Sequence, residues 1–205
     1  LISSVLREIS EEQIRLESDG QKVLLLGSRC EFQFPTPDPM EYPLVPAFEG
    51  NAYHSFSART LREMLLRTEF AVEVDSTRFN LGGVYLELGE NSAIAVATDG
   101  RRLARQEGPA TQVGNHLPSE HVIIPARAVQ LIQRIITDGE EEIKVAVEDG
   151  KIFVISGTSM FYARLVDARF PKWREVFPKD PEKLRVELPV GEFAAAMRQA
   201  AIVVD

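Results

Sequence analysis

Hydrophobic and polar positions alternate along much of the chain, with the two-residue period typical of half-buried β-strands. Three such runs follow one another at residues 13–18, 22–27 and 30–34. They are separated by Asp19-Gly20 and Gly27-Ser28, which favour tight turns because glycine accepts a positive φ without strain. The pattern therefore predicts an antiparallel meander. Further strands are predicted at residues 52–56, 77–81, 83–88, 93–98, 121–124, 142–149, 151–157, 159–166 and 184–190, with a turn-rich loop at 106–119.

Apolar residues recur at helical spacing in four stretches, which predicts four helices. Ser57 is a good N-cap for the second of them, and Pro125 stands at the start of the third, where its missing N–H costs nothing. The predicted helices cover residues 1–9, 58–70, 126–137 and the Ala-rich stretch that begins near 190.

The order of elements repeats at an offset of about 130 residues. A helix and a meander with an Asp-Gly turn in residues 1–43 return in residues 126–171, and the strand and helix at 53–70 return at 184–201. Helices between meanders are an α+β pattern. The chain is thus expected to hold the end of one unit, a complete second unit and the start of a third, and so to be a piece of a longer chain.

Composition limits the class of protein. The chain has 205 residues and a net charge of −8, which argues against a surface that grips nucleic acid all over. A single cysteine, Cys30, excludes an internal disulfide and a cysteine-based metal cluster, and fits a reducing cytosol. No apolar run is long enough to span a bilayer, so no membrane partner is expected.

Nothing in the sequence predicts catalysis. His54, His116 and His121 are scattered and have no nucleophile or acid at motif spacing, so each is expected to be a surface or strand histidine. Asp99 and Asp167 lie in turn contexts, where a structural role is the default. No catalytic residue, metal site or cofactor is therefore expected.

One helix carries an unusual polar face. In the predicted helix 126–137, Arg127, Gln130 and Arg134 follow one another on the side opposite the apolar stripe, with no acid among them. A solvated helix of an acidic protein would more often mix acids with bases, so this face is a candidate functional basic surface, with an ordinary solvated face as the alternative. Carboxylates from neighbouring strands, if paired with these arginines, would remove that support.

Four ordered motifs resemble the bacterial DNA polymerase III beta subunit, the replication sliding clamp. They are Arg78 to Gly83, Ala97 to Ala104, Val122 to Pro125 followed by Arg127, and Leu165 to Pro171 continuing to Pro178. The resemblance implies an α+β fold of repeated DNA-clamp domains, each with two helices packed on antiparallel sheets. Three such domains form the family's chain, and this chain would hold about one and a half. The implied parts are the end of domain I with a linker at 1–47, domain II at 52–180, and the start of domain III at 183–205.

The resemblance also implies a homodimeric ring that encircles duplex DNA without sequence preference and tethers the replicative polymerase in the bacterial cytoplasm, at the nucleoid during replication. The helices would line the hole, so that an acidic protein turns its basic faces inward. The implied DNA-facing residues are Arg127, Arg134 and Gln130, followed by Arg59, Arg62 and Arg78.

A cleft for short linear peptides is the second implied site. Its partners in the family are the polymerase III catalytic subunit, the clamp loader and repair polymerases. Arg101 and Glu175 depart from some clamps, which have histidine and a basic residue there, so the peptide preference is expected to differ. The residues of this chain that match the middle-domain half of the cleft are Leu81, Thr98, Gly100, Arg101, Arg102, Leu103, Pro171 and Val176.

A peptide-binding scaffold that never meets DNA is the alternative interpretation, and the acid-free helix face distinguishes the two. Trp173 lies between Lys172 and Arg174 and could stack on a base or a partner. The stronger expectation is that it packs beneath Phe170 and Pro171.

Overall fold

The computed structural model describes residues 1–42, 46–73, 79–118, 122–136, 141–177 and 186–203. The chain divides into two units, residues 1–48 and 49–205. No helix in these described ranges is long and apolar enough to cross a membrane.

Among its described residues, the first unit contains an α-helix followed by a three-stranded antiparallel meander, as predicted, and a short 3-10 turn at Pro39–Glu41. The Asp19 carboxylate shapes the first turn, because its Oδ1 accepts the N–H groups of Gln21 and Lys22 at 3.0 and 2.9 Å. The buried apolar residues of the sheet are Leu25 and Phe34. The elements are α1 (Ile2–Glu8), β1 (Arg15–Ser18), β2 (Lys22–Leu26) and β3 (Glu31–Pro35).

In the part of the second unit that the structure describes there are two antiparallel sheets and three α-helices. Its helices are α2 (Ala58–Glu69), α3 (Ala126–Ile135) and α4 (Val190–Ala201). Its strands are β4 (Tyr53–Ser57), β5 (Gly83–Leu88), β6 (Ser92–Thr98), β7 (Leu103–Pro109), β8 (Thr111–Val113), β9 (Val122–Pro125), β10 (Glu142–Glu148), β11 (Lys151–Ser156) and β12 (Ser159–Arg164). The five-stranded sheet has the order β12-β11-β10-β4-β8, and the four-stranded sheet has the order β7-β6-β5-β9.

Local sequence explains where α2 begins and what it covers. The Ser57 side chain accepts the N–H of Thr60, so the predicted N-cap is confirmed. The helix buries Leu61, Met64 and Leu65, which form its apolar stripe. A Cβ at Gly108 of β7 would lie 2.6 Å from the Thr60 side chain, so glycine there allows the helix to approach the sheet closely.

The four-stranded sheet has two different faces because its strands alternate. Ala93, Ala95 and Ala97 of β6 belong to the main core with α2 and α3. Ile94 and Val96 of the same strand belong to a second cluster on the opposite face. The sheet is thus covered by helices on one face and by another part of the chain on the other.

The predicted repeat is confirmed at the level of elements. A helix followed by a three-stranded antiparallel meander occurs as α1 with β1–β3 and again as α3 with β10–β12. The helix predicted near 190 is confirmed as α4. The α+β fold class is correct.

Three local predictions were wrong. Residues 79–81 form a 3-10 turn and not part of a strand. Within the stretch 106–119, expected to be a loop, β7 continues to Pro109 and β8 follows. Strand β7 pairs with β6 along its whole length, and backbone pairing outweighs its lack of large apolar residues. Residues 186–189 are irregular, because a strand needs a partner and none pairs with them within the described part of the chain.

Candidate functional site

The turn between β6 and β7 is built around Asp99. Its Oδ1 accepts the N–H groups of Arg101 and Arg102, both at 2.9 Å, and its Oδ2 accepts Nε of Arg102 at 2.9 Å. The backbone hydrogen bond from Arg102, followed by that from Arg101, lowers the pKa of the Asp99 carboxyl. Gly100 has a φ of +86°, which favours glycine. The structural role expected of Asp99 is confirmed.

Thr98 and Arg102 complete this turn. The Thr98 hydroxyl donates to the carbonyl of Arg102 at 2.7 Å and accepts the N–H of Gly100 at 3.0 Å. The Arg102 guanidinium also lies 5.8 Å from the centre of the exposed Phe70 ring. The neighbouring Arg101 is exposed and has no ion pair among the described residues. The turn therefore holds one arginine in place and leaves the other accessible.

The second face of the four-stranded sheet is covered by residues 165–177, named here the covering segment. The Val166 N–H donates to the carbonyl of Ile123 on β9 at 2.9 Å. Phe170 stacks on Tyr85 of β5 with ring centres 4.9 Å apart and planes inclined by 13°. Trp173 is only 6% exposed. The expectation that Trp173 packs with Phe170 is thus confirmed.

Arginines secure the covering segment to the sheet. Arg174 makes two hydrogen bonds to the Glu87 carboxylate, at 3.0 and 2.6 Å, and these bonds raise the pKa of Arg174. Its guanidinium also lies 4.2 Å from the centre of the Trp173 ring. Arg105 of β7 lies 5.8 Å from the same ring and pairs with Glu107. The charges on this face are therefore largely neutralised within the chain.

The residues predicted to form a cleft lie in or beside this region. Leu103 is half-buried against Val96, Ile123, Phe170 and Trp173. Leu81 is buried in the 3-10 turn at 79–81. The Asn80 side chain of the same turn donates a hydrogen bond to the carbonyl of Arg169 in the covering segment, at 3.4 Å.

Two members of the predicted cleft are exposed on the covering segment. Pro171 is exposed, and Val176 is 68% exposed. Pro171 borders a groove of about 320 Å³ that is also lined by Tyr85, Phe170 and residues 172–175. The exposed Glu175 lies 3.4 Å from Lys172, a surface pair that adds little stability. The region thus offers exposed apolar surface on the covering segment.

The predicted DNA-facing residues lie on the exposed sides of α2 and α3. Arg59, Arg62, Arg127, Gln130 and Arg134 are all exposed. Arg127 donates to the Gln130 side chain at 3.5 Å. Within the described ranges, no carboxylate pairs with any of these four arginines. Arg78 lies outside the described residues.

The acidic side chains of α2 bond to groups other than the four exposed arginines. Glu63 of α2 pairs with Arg67, and Glu69 accepts a hydrogen bond from Gln133 of α3 at 2.6 Å. The same bond links the two helices. Their outer surface is therefore basic although the chain as a whole has a net charge of −8.

Sequence reasoning missed the environment of the histidines. His54 lies in β4 as a strand residue, but His116 is buried and contacts it, with the two Nδ1 atoms 2.7 Å apart. No local pattern links residues so distant in the sequence. His121 lies outside the described residues, and the described part of the chain holds no group of three or more metal-binding side chains.

Comparison with known proteins identifies the family. The family model for the DNA polymerase III beta subunit, central domain, matches residues 55–172, more than half of the chain. The chain belongs to the DNA polymerase III beta subunit family.

Similar proteins agree with this assignment. The beta sliding clamp of Escherichia coli strain K12 is 28% identical over 190 residues, which cover 93% of this chain and 51% of that protein. The beta sliding clamp of Staphylococcus aureus strain Mu50 is 28% identical over 199 residues, covering 97% and 52%. The chain spans about half the length of the curated relatives it matches.

Solved structures show the same fold. The DNA polymerase III subunit beta from Pseudomonas aeruginosa superposes with a TM-score of 0.73 at 27% identity, covering 87% of this chain and 49% of that one. The DNA polymerase sliding clamp from Bacillus subtilis gives a TM-score of 0.82 at 21% identity over 100% of this chain and 53% of that one, and this likeness supports the fold alone.

Proposed function

We propose that this chain supplies the middle part of a DNA sliding clamp. In this proposal a homodimeric ring, with three similar domains in each protomer, encircles duplex DNA and tethers a polymerase to it. The observation that carries the proposal is the basic outer surface of α2 and α3, where Arg59, Arg62, Arg127 and Arg134 have no carboxylate partners among the described residues. A peptide-binding scaffold without a DNA role gives no reason for such a surface.

The charge distribution suits a ring that slides. Guanidinium groups attract phosphates regardless of sequence, because phosphate contacts carry no base information. These four arginines, in an otherwise acidic chain, provide weak, salt-sensitive attraction at one surface only. A closed ring stays on DNA through its topology, so strong binding would only slow its movement. The proposed role is that of a processivity subunit in the bacterial cytoplasm, with no chemical step of its own.

The second part of the proposal is a partner-binding cleft on the opposite face of the four-stranded sheet. Leu103, Pro171 and Val176 offer apolar surface for leucine or phenylalanine anchors of a linear peptide, and the buried Leu81 would support that surface from within. Thr98, Gly100, Arg101 and Arg102 form the turn beside it. The turn uses the N–H groups of Gly100, Arg101 and Arg102 internally, so the group it offers a peptide is the exposed Arg101 guanidinium. The proposed partners are the polymerase III catalytic subunit, the clamp loader and repair polymerases.

The DNA part is tested by binding of the chain to a labelled 30-base-pair duplex, measured by fluorescence anisotropy over a range of salt concentrations. We expect a Kd in the range of about 10⁻⁴ to 10⁻⁶ M, as for non-specific binding. Replacing Arg59, Arg62, Arg127 and Arg134 by glutamine should abolish this binding. It should also lower the slope of log K against log salt by up to about 0.9 for each phosphate that the chain no longer neutralises.

A matched control separates a local surface from net charge. The variant R15Q/R29Q/R164Q/R169Q removes the same number of exposed arginines from outside α2 and α3, and it should retain most of the affinity. Equal reductions of affinity in both variants would contradict the proposed DNA surface, since only the total charge would then matter.

A further inference from the structure

His54 and His116 form a buried pair that the proposed function does not use. Their side chains are 1% and 5% exposed. The Nδ1 atoms lie 2.7 Å apart and the rings meet edge to face, with centres 5.0 Å apart and planes inclined by 64°. A contact this short between two ring nitrogens requires one of them to carry a proton and the other to accept it.

The surrounding backbone determines which nitrogen carries each proton. The Val147 N–H donates to Nε2 of His116 at 3.0 Å, so this nitrogen is unprotonated and the proton of His116 lies on Nδ1. That proton is donated to Nδ1 of His54. His54 therefore carries its own proton on Nε2 and donates it to the carbonyl of Gly89 at 3.0 Å. All four ring nitrogens are satisfied only when both histidines are neutral.

The pair joins separate parts of the second unit. His54 lies on β4 and Val147 on β10, both in the five-stranded sheet. Gly89 lies in the turn between β5 and β6 of the four-stranded sheet, and His116 lies in the segment after β8. Pairing of β10 with β4 ends at Val145 and His54, so His116 accepts a backbone N–H that the sheet leaves without a strand partner.

Charged groups near the pair do not compensate an added proton. On β10, Glu142, Lys144 and Glu148 alternate with Val145 and Val147 and so lie on the other face of the sheet. Tyr53 is the other titratable residue of β4, and it lies under Lys144. The β5–β6 turn carries Glu90, which is exposed, whereas β8 and residues 114–118 carry no ionisable side chain except His116.

We propose that the His54–His116 pair is a proton-sensitive lock that holds residues 114–118 on the five-stranded sheet at neutral pH and releases them on acidification. A proton on Nε2 of His116 would displace the Val147 N–H. A proton on Nδ1 of His54 would face the Nδ1–H of His116, and the hydrogen bond between the two rings would be lost. Burial lowers the pKa of both histidines, and for His54 the proximity of His116 adds to this effect while the bond to Gly89 opposes it.

The sign of the effect on stability follows directly. Both histidines are neutral in the folded and unfolded chain above the unfolded pKa of about 6.5, so the full stability is present there. Below pH 6.5 the unfolded chain binds protons that the folded pair does not bind. The free energy of unfolding therefore falls as the pH approaches the lowered pKa values of the folded chain. Each histidine that stays neutral makes the unfolding constant about tenfold larger at pH 5.5 than at pH 7.5.

The test compares urea unfolding of the 205-residue chain and of the variant H54Q/H116Q between pH 7.5 and pH 5.5. A glutamine at position 54 can donate to the Gly89 carbonyl, and one at position 116 can accept the Val147 N–H, but neither side chain titrates. The folding constant of the wild type should fall by up to about tenfold per histidine over this range, and the variant should lack that decrease. An equal pH dependence in both proteins would overturn the proposal.

Nitrogen NMR of the histidine rings in the wild type provides an independent test that does not depend on the variant folding. The expected spectrum shows His116 protonated at Nδ1 and His54 at Nε2, with neither ring titrating near pH 6.5 in the folded state. Release is expected only at lower pH, with loss of the Val147 amide signal from its neutral position. Titration of either ring near pH 6.5 without a change in the fold would also overturn the lock.

Discussion

Arginines on the two faces of the four-stranded sheet have opposite surroundings. On the helical face, Arg59, Arg62, Arg127 and Arg134 are exposed and have no carboxylate partner within the described residues. On the face of the covering segment, Arg105 and Arg174 pair with Glu107 and Glu87, respectively. Both of these arginines also lie against the Trp173 ring.

This difference separates arginines that support the fold from those available to a ligand. A guanidinium whose donors are used by a carboxylate of its own chain has few donors left for a phosphate. Arg174 therefore acts as an attachment for the covering segment. The four exposed arginines of α2 and α3 would gain partners from outside, which is the property required of a surface that faces DNA.

The largest expected effect concerns the attachment of the covering segment. Trp173→Ala should lower the free energy of unfolding by about 3–5 kcal/mol, because it removes a buried aromatic ring and leaves a cavity beside Phe170. Urea unfolding at neutral pH measures this change. Val176→Ala is the matched control in the same short turn and, being 68% exposed, should change stability by less than about 0.5 kcal/mol. Similar effects of both substitutions would show that the segment is not part of the core.

A smaller effect is expected for partner binding on this face. Leu103→Ala should weaken binding of a labelled peptide with leucine and phenylalanine anchors by about 30-fold, or about 2 kcal/mol, as for an apolar residue at the centre of an interface. Pro171→Ala should weaken it less, since its side chain lies at the edge. Fluorescence polarisation measures both.

The exposed Leu117 supplies a control of the same residue type. Leu117→Ala should leave peptide affinity unchanged. If the wild type binds the peptide and all three variants bind equally well, the proposed position of the cleft is contradicted. Thermal unfolding of each variant distinguishes a weakened binding surface from a disrupted fold.

The sequence was sufficient to predict features that depend on local chemistry. The Ser57 cap, the two meanders and the repeat follow from turn residues and periodicity within short stretches, and each is present. The role of Asp99 was also predictable, because an Asp-Gly turn positions a carboxylate near the next backbone N–H groups.

Features that depend on distant parts of the chain were not predictable. Strand β7 contains Gln106 and Glu107, which weaken its apolar alternation, and it forms because β6 offers a pairing edge. The bidentate contact of Arg174 with Glu87 joins two residues that neither periodicity nor a motif connects. The His54–His116 pair is of the same kind. The acid-free face of α3 was visible in the sequence, but which carboxylates come near it depends on how distant parts of the chain fold together.

The smallest expected effect tests whether the arginines on the two faces of the four-stranded sheet differ as described. Arg174→Gln should lower the free energy of unfolding by about 1 kcal/mol at low salt, because it breaks a partly exposed ion pair with Glu87. Arg134→Gln removes the same charge from a residue without a carboxylate partner among those described and should change stability by less than about 0.5 kcal/mol. Urea unfolding at low and high salt should show the effect of Arg174→Gln on stability becoming smaller as salt screens the pair.

DNA affinity should respond in the reverse order, falling with Arg134→Gln and not with Arg174→Gln. If both substitutions destabilise the chain equally, Arg134 has an internal partner, and the two faces do not differ as described.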